Sequence, residues 1–467
     1  MSSNTTSTKR KNGKQAAISP LMRTLSTYIT RAATKPLPAA VTEITKHHLL
    51  DTLAATISGS RLLPGKVTIA YLKTQGGTPE ACVPGTRIVT TASNAAFGSG
   101  MLAHADETDD SHAKSLTHPG CGVVPAAFAM AERTRANGTA LLRAIALGYD
   151  VCARSAMSLS PYEFFAAGHD SHTFGTLFGA AASAASLARL NEEQVRHLMS
   201  YAAHSASGRT YQQRDPDHIE KSFAHGAKSA RDGVAATNMI EAGYTGIDDA
   251  FSGEKNFYFA FKDFAKPELL TKGLGKTYEI VNTNIKRWTT GSPIQAMLDS
   301  LSELIKAHGI NANHVEKLVI RISHHGFRVV NDRPLPTICM QHLAAVMLLD
   351  GTVTFHSCHD QNRMKDARVL QMRRRVEFYG DDELERALPA KQCKVELTLR
   401  DGRVLRHFTK AVRGTAANRM HRQEVEDKCL SLIAPVLGAK RAHSLISAIW
   451  SVEDVGNVRN LRRLLLL

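Results

Sequence analysis

Cysteine is sparse in this chain. The seven residues, at 82, 121, 152, 339, 358, 393 and 429, are odd in number and include no CxxC pair. That excludes a disulfide framework and a cysteine-based zinc site, and fits a reducing compartment. Aromatic residues make up 6% and none interleave with the basic runs, so the stacking platform of a single-strand nucleic-acid binder is missing. No run of about eighteen apolar residues occurs, which speaks against a membrane span. There is no GxGxxG after a strand, no P-loop, no GxSxG elbow and no HExxH, which removes the usual signatures of dinucleotide, phosphoryl, elbow-hydrolase and zincin chemistry. No 20–50-residue repeat is present. No apolar h-region follows the early charges, so no secretory signal is expected, and the scarcity of early arginine gives little support to a mitochondrial presequence.

What is present is a 467-residue chain, 43% hydrophobic and 22% charged, enough for two or three domains with large cores. The formal net charge is +15. The excess is scattered over the tail (Lys9, Arg10, Lys11, Lys14), the run Arg373-Arg374-Arg375 and the C-terminal Arg462 and Arg463. It reads better as a surface that draws anionic small molecules to a cleft than as a nucleic-acid stripe.

Residues 1–18, rich in Ser, Thr, Lys and Asn, read as a disordered basic tail. From Pro20 to about residue 275 the pattern is helical. Leu21, Leu25, Tyr28 and Ile29 share a face before Pro36 and Pro38 intervene. Val41, Ile44, Leu49 and Leu53 mark a second helix ending at Gly59. Small residues within 85–103 permit close packing of a third. Pro125 reads as the start of a helix stopped by Gly138, TFGTLFGAAASAASLARL as a fully buried central helix, and Asn191 as the cap of the next. No strand competes in this half. Then KLVIRISH alternates, and CKVELTLRDGRVLRHF reads as a hairpin with Asp401-Gly402 as a two-residue turn. The expected class is mainly α: a helical domain over 19–275, a smaller α+β domain over 276–410, and C-terminal helices over 411–467 that pack back on the first domain.

The chemistry concentrates in HADETDDSHAKSLTHP, from His104 to Pro119. Asp106, Glu107, Asp109 and Asp110 stand with His104, His112 and His118 between apolar runs. Acids and imidazoles held in such a place have shifted pKa values and suit acid–base work. Pro119 keeps His118 out of a helix and places it at a helix start, and His169 and His172 precede the buried helix in the same way. Helix N-termini favour anions and neutral imidazoles, so two histidine loops imply one pocket for an anionic ligand. Lys221, read as lying in a loop before a helix, can hold a carboxylate or a developing enolate, with His225 beside it. Lys286 and Arg287 lie where the helical pattern ends and can reach an interdomain cleft. A metal reading of His104, Asp109, Asp110, His112 and His118 lacks tight ligand spacing, and no metal is expected.

These segments, with GHDSHTFGTLFGAAAS, KSFAHGAKSARDGVAA, YTGIDDAFSGEKNF, IKRWTTGSPIQAMLDSL, NDRPLP and VRGTAANRMHRQEVEDK, resemble the MmgE/PrpD family over nearly the whole chain after residue 20. The resemblance implies a helical domain built from both chain ends, an inserted α+β lid, a homodimer and no organic cofactor. It marks Glu107, His118, His169, Lys221 and Lys286 as active-site candidates, with Asp109, Asp110, His112 and Thr117 in the same motif. The departures are Glu107 where many members have Asp, a longer spacing from Lys221 to His225, and Gly291 where some members have His. The expected catalytic set is His118, His169, Lys221, Glu107, Asp109 and Asp110. Substrate contacts are expected from His112, Thr117, Lys286, Arg287 and His225. The implied activity is that of a cytoplasmic lyase on a small polycarboxylate, first a 2-methylcitrate dehydratase of propionate metabolism. The alternatives are a cis-aconitate decarboxylase, a diacid epimerase, or a basic polyanion binder whose site has decayed.

Overall fold

The computed structural model describes residues 17–467. All but the end of the expected tail, 1–18, lies outside the described residues. The long helices of the first half are α1 (Pro20–Ala32), α2 (Ala39–Gly59), α3 (Ala92–Ala103), α4 (Pro119–Arg133), α5 (Gly138–Met157), α6 (Ser171–Ala188), α7 (Glu192–Ser205) and α8 (Lys228–Glu241), with a ten-residue helix, Leu63–Leu72, and shorter helical turns between. Helix α6 is buried along almost its whole length, as its small and apolar residues require. Asn191 caps α7 in a capping box with Gln194.

After α8 the chain builds the smaller unit from α9 (Gln295–His308), β1 (Val315–Ile322), α10 (Met340–Asp350), β2 (Val376–Gly380), β3 (Cys393–Leu399) and β4 (Val404–Thr409). The sheet order is β2-β1-β3-β4, with β1 parallel to β2 and antiparallel to β3. Leu318, Ile320, Ile322, Val395, Leu397 and Leu399 are buried and share one core with Met297 and Leu301 of α9 and Leu343 and Met347 of α10. The chain then returns as α11 (Arg422–Leu437) and α12 (Ala439–Trp450). Val425, Leu432 and Ile446 join the core of Leu49, Leu53, Leu102, Val123 and Leu141, so both chain ends build the helical domain. Among the described residues no helix is long and apolar enough to cross a membrane.

Several local expectations need correction. Helix α4 starts at Pro119, and Pro125 lies inside it, where it forgoes one helical hydrogen bond. Gly138 does not stop that helix. It opens α5 after the Asn137 cap, and a Cβ there would lie 1.7 Å from the Val452 carbonyl oxygen, so the glycine serves close packing of the C-terminal segment. The hairpin loop has three residues, 400–402. The Gly402 N–H donates to Leu399 O, and Gly402 sits at φ +85°, the left-handed position such loops require. A two-residue ladder, Ala81–Cys82 with Val89–Thr90, stands in the otherwise helical half.

Candidate active site

The acid-rich loop between α3 and α4 is fixed from beneath. Asp110 accepts from the Gly120 N–H at 2.9 Å and the Tyr149 hydroxyl at 2.6 Å, and lies 2.7 Å from His48 Nδ1. Lys428 of α11 donates to the Thr108 carbonyl at 3.1 Å and pairs with Asp51 at 2.5 Å. Asp106 accepts from the Thr108 N–H and hydroxyl and meets His359 at 3.0 Å. His112 and Thr117 close a backbone ladder, both side chains meet Ser115 Oγ, and His112 Nε2 lies 3.3 Å from Glu279. Asp110, His112 and Thr117 therefore hold the loop and do not line the cavity above it.

The residues the loop presents upward form a charge-balanced floor. Glu107 pairs with Lys221, and its other oxygen lies 3.8 Å from Lys286. Lys286 donates to the Glu107 carbonyl at 2.8 Å and lies 3.5 Å from Asp109. Asp109, wholly buried, turns one oxygen to His104 Nδ1 at 2.9 Å and the other to His118 Nδ1 at 3.2 Å. The set has two ammonium groups and two carboxylates, so the histidines around it need carry no charge.

Lys221 is not in a loop. It sits in the helical turn Ile219–Ser222, which runs through a π-helical turn, Phe223–Ala227, into α8. The π turn carries His225, and such turns concentrate at functional sites. It lies directly against α3, since a Cβ on Gly226 would be 2.3 Å from the Gly100 carbonyl oxygen. Ser222 Oγ donates to the His104 carbonyl at 2.6 Å. This close approach brings His225 Nδ1 to 3.0 Å from His104 Nε2. His225 Nε2 lies 3.1 Å from the Gln212 amide and 3.2 Å from Asp170, the N-cap of α6.

Imidazoles of His104, His118, His172, His218 and His225 cluster with ring centroids 4.3–5.9 Å apart. Burial pushes all five below the ordinary histidine pKa; Asp109 opposes this at His104 and His118, Asp170 at His225, and Glu107 at His218. Burial works against charge on Glu107 and Asp109 too. There it is outweighed, by Lys221 and Lys286 for Glu107 and by His104, His118 and Lys286 for Asp109, and both carboxyls lie well below their usual range. Against its own burial, the carboxylates hold Lys286 above its ordinary value. His118 Nδ1 lies 3.2 Å from Asp109 without an aligned hydrogen bond; a proton kept on Nδ1 beside that carboxylate leaves Nε2 its lone pair, the tautomer a base needs. His172 Nδ1 and His218 Nε2 are buried and unpartnered.

Above this floor a cavity of about 460 Å³ separates the helical domain from the α+β lid. Glu107, His118, His172, His218, Lys221 and His225 face it from below, and Arg333, Lys391 and Gln392 from the lid. Lys391 is half-buried; burial and the Lys286 charge bring its pKa down to about 8, against the pull of Glu107. Lys286 itself lines a neighbouring cavity of about 300 Å³, which shares Lys391 and Ser292 with the first.

The expectations divide accordingly. Glu107, His118, Lys221 and His225 line the main cavity, and Asp109 and Lys286 lie directly behind them. His169 stands apart. Its ring stacks on Phe164 at 4.5 Å within an aromatic group and its Nδ1 meets Arg209, while His172, in the first turn of α6, supplies the cavity's imidazole from that loop. Arg287 covers the Trp288 ring at 4.8 Å, has a 37% exposed side chain, and does not reach the cavity. His218 and Lys391 were not foreseen, and nothing in DPDHIEK or LPAKQC distinguishes them from surface residues.

Among the described residues, three donor sets have ligand atoms within 4.8 Å of one another: His104, Glu107 and His218; Asp170, His172 and His225; His104, Asp109 and Cys121. Most of these atoms are engaged, Glu107 by two lysines and His104 and His225 by each other. Burial beside Asp109 and Asp110 holds the Cys121 thiol well above its usual pKa, unlike a thiolate ligand.

The description MmgE/PrpD N-terminal domain matches residues 23–270, and MmgE/PrpD C-terminal domain matches residues 288–454. Cis-aconitate decarboxylase of Homo sapiens is 24% identical over 455 residues, covering 91% of this chain and 90% of that protein. The Mus musculus protein of the same name is 25% identical over 398 residues, 79% of this chain and 78% of its own. The cis-aconitate decarboxylase-like protein oryM of Aspergillus oryzae is 22% identical over 472 residues, with 94% and 96% covered.

Proposed function

As the chain belongs to the MmgE/PrpD family, we propose that it is a lyase acting without an organic cofactor on a small polycarboxylate held between the helical floor and the lid. The reaction we favour is decarboxylation of a cis-aconitate-like acid, a reading supported by the names of its relatives. The observation that carries the proposal is the pairing of His118 with Asp109 beside the Lys221–Glu107 pair, under a cavity rimmed by Arg333 and Lys391.

The chemistry follows from charge. A polyanion entering the cavity meets fixed cations for its carboxylates and raises the proton affinity of the neutral imidazoles beside it. In decarboxylation one C–C bond breaks, CO₂ leaves, and the electron pair passes into the unsaturated carboxylate that remains. Lys221 stabilises the charge spreading onto that carboxylate. His118, having taken up a proton, delivers it to carbon, so one proton is consumed for each CO₂ released.

Dehydration of a 2-methylcitrate-like hydroxy acid is the second reading. It needs a base for the C–H and an acid for the leaving hydroxide. His118 Nε2 and the unpartnered nitrogens of His172 and His218 offer both across the cavity. Incubation of purified protein with cis-aconitate and 2-methylcitrate, followed by NMR, separates the readings. Loss of one carboxyl group as CO₂ is expected with cis-aconitate. An unsaturated product that keeps every carboxylate of 2-methylcitrate would favour dehydration, and no turnover of either acid or of related diacids would remove the lyase reading.

A further inference from the structure

The neighbouring cavity of about 300 Å³ lies where the two domains are joined. The chain enters the smaller unit between α8 and α9 and leaves it between β4 and α11, and both connections wall this space. They are pressed together there. The Ile285 N–H donates to the Gly414 carbonyl at 3.0 Å, and a Cβ on Gly414 would lie 1.9 Å from the Ile285 carbonyl oxygen. Ser111 and Asn284 exchange backbone hydrogen bonds of 3.0 and 2.8 Å, which tie the first connection to the acid-rich loop. The lid contributes Lys391.

The charge of this lining is of one sign. Lys114, Lys286, Lys391, Lys410 and Arg413 line the cavity, and no carboxylate does. Two of these cations are already matched, Lys286 by Glu107 and Asp109, and Arg413 by Glu424. Among the described residues, Lys114, Lys391 and Lys410 form no ion pair. Lys114 and Lys410 are exposed, but Lys391 is half-buried, and burial and the Lys286 charge both work against its own. A half-buried charge without a counter-charge costs free energy that an anion would recover. The cavity is also separate from the catalytic one. Glu107 and the floor imidazoles do not line it, and Lys391 and Ser292 are the residues common to both. Three unmatched cations suit a compact anion of two charges. The volume, at the low end of the roughly 300–1,000 Å³ of ligand pockets, suits one of that size.

We infer that this hinge cavity is a second anion site, which takes a compact dianion, phosphate or a short dicarboxylate, held by Lys114, Lys391 and Lys410. Its occupant shares Lys391 with the substrate. Binding there draws the ammonium away from the catalytic cavity and weakens the hold on a substrate carboxylate, so the two ligands oppose each other through one side chain. The effect saturates, because the substrate keeps Lys221 and Arg333. This kinetic consequence rests on the lyase reading above; the binding site does not.

The test begins with calorimetric titration of the whole protein with inorganic phosphate and with succinate, the tighter of the two identifying the source of the dianion. Affinity should fall roughly tenfold in Lys114→Ala/Lys410→Ala, the worth of two charge contacts. It should stay at the wild-type value in Arg333→Ala, which faces the catalytic cavity alone. Circular dichroism checks both folds. No binding of either dianion, or binding lost in Arg333→Ala and kept in the double variant, would overturn the inference. During turnover of the acid that the protein accepts, the dianion should raise KM roughly threefold to fivefold and then level off. The double variant should turn over at the wild-type rate and not respond. A KM that rises without limit would place the dianion in the catalytic cavity and overturn the inference. Binding that follows this pattern in a protein that turns over no acid would support the site and remove the lyase reading.

Discussion

His104 Nε2 and His225 Nδ1 lie 3.0 Å apart, although 121 residues separate them in the chain. Asp109 at one end and Gln212 at the other set the direction of this contact. Asp109 accepts from His104 Nδ1–H, His104 Nε2 then accepts from His225 Nδ1–H, and His225 Nε2 accepts from the Gln212 amide. Both rings are neutral in this arrangement. One added proton would turn the close approach of His225 Nε2 to Asp170, at 3.2 Å, into an attraction. Because Asp109 also lies 3.2 Å from His118, the buried pair is tied to the group we propose as the carrier of the substrate proton.

His225→Gln should therefore act through Asp109 as well as by its own contact with the cavity. The expected outcome is a kcat reduced more than KM is raised, with the acid limb of the kcat profile displaced, because the hydrogen-bond partner that biases Asp109 toward His118 is altered. Steady-state kinetics between pH 5.5 and 8.5 checks this. A change in KM alone, with the profile unmoved, would make His225 a wall residue.

The neutral imidazoles also set how the fold responds to acid. All five fall below the ordinary value of 6.5 in the folded state, so the unfolded chain binds more protons below that pH. Stability then rises with pH through this window and is lost as pH falls below about 6.5. His359, raised by Asp106 against its burial, and the carboxyls of Asp150, Asp51, Glu132 and Asp299, raised by burial and Asp150 to about 7, work in the opposite sense, but the lowered histidines, which also include His47, His325 and His342, outnumber them. A Tm that is level from pH 8 to about 6.5 and declines toward pH 5 is expected by differential scanning fluorimetry. A Tm unchanged to pH 5 would mean that these imidazoles are charged in the fold.

The large elements were legible because period and composition dictate them. The buried α6, the end of α2 at Gly59 and the alternating β1 and β3 lie where those patterns put them. The acid-rich loop announced itself by density of charge between apolar runs. Its division of labour did not. Asp109 and Asp110 are neighbours of the same type and equally buried, yet one meets His118 and the other meets Tyr149, His48 and the start of α4. Only the backbone direction, set by the turn around Ser115 and by the Lys428 anchor, decides between them. His172 rather than His169 enters the cavity because Asp170 caps α6, leaving His169 outside and turning His172 in. Lys391 gains its role from the lid's position across the cleft, which no local pattern encodes.

Lys391 makes a separate prediction about the alkaline side. With its pKa near 8 it loses charge as pH rises, and with that charge its hold on a substrate carboxylate. kcat/KM, which reports the free protein, should fall above about pH 8. Lys391→Arg should carry that limb to higher pH, because guanidinium stays charged, and Lys391→Met should weaken binding and remove the limb. An unchanged limb in the Arg variant would assign it to another group.

The most direct test concerns His118. Turnover of the acid in D₂O, followed by NMR, should place one carbon-bound solvent deuteron in the product, within the allylic system left by CO₂, because the proton donor exchanges with solvent before delivery. In His118→Ala, with circular dichroism unchanged, product formation should fall by roughly 10²–10⁴-fold, the usual worth of a general acid–base group. Wild-type rates of deuterated product from His118→Ala would contradict the account and place the proton transfer on another residue of the cavity.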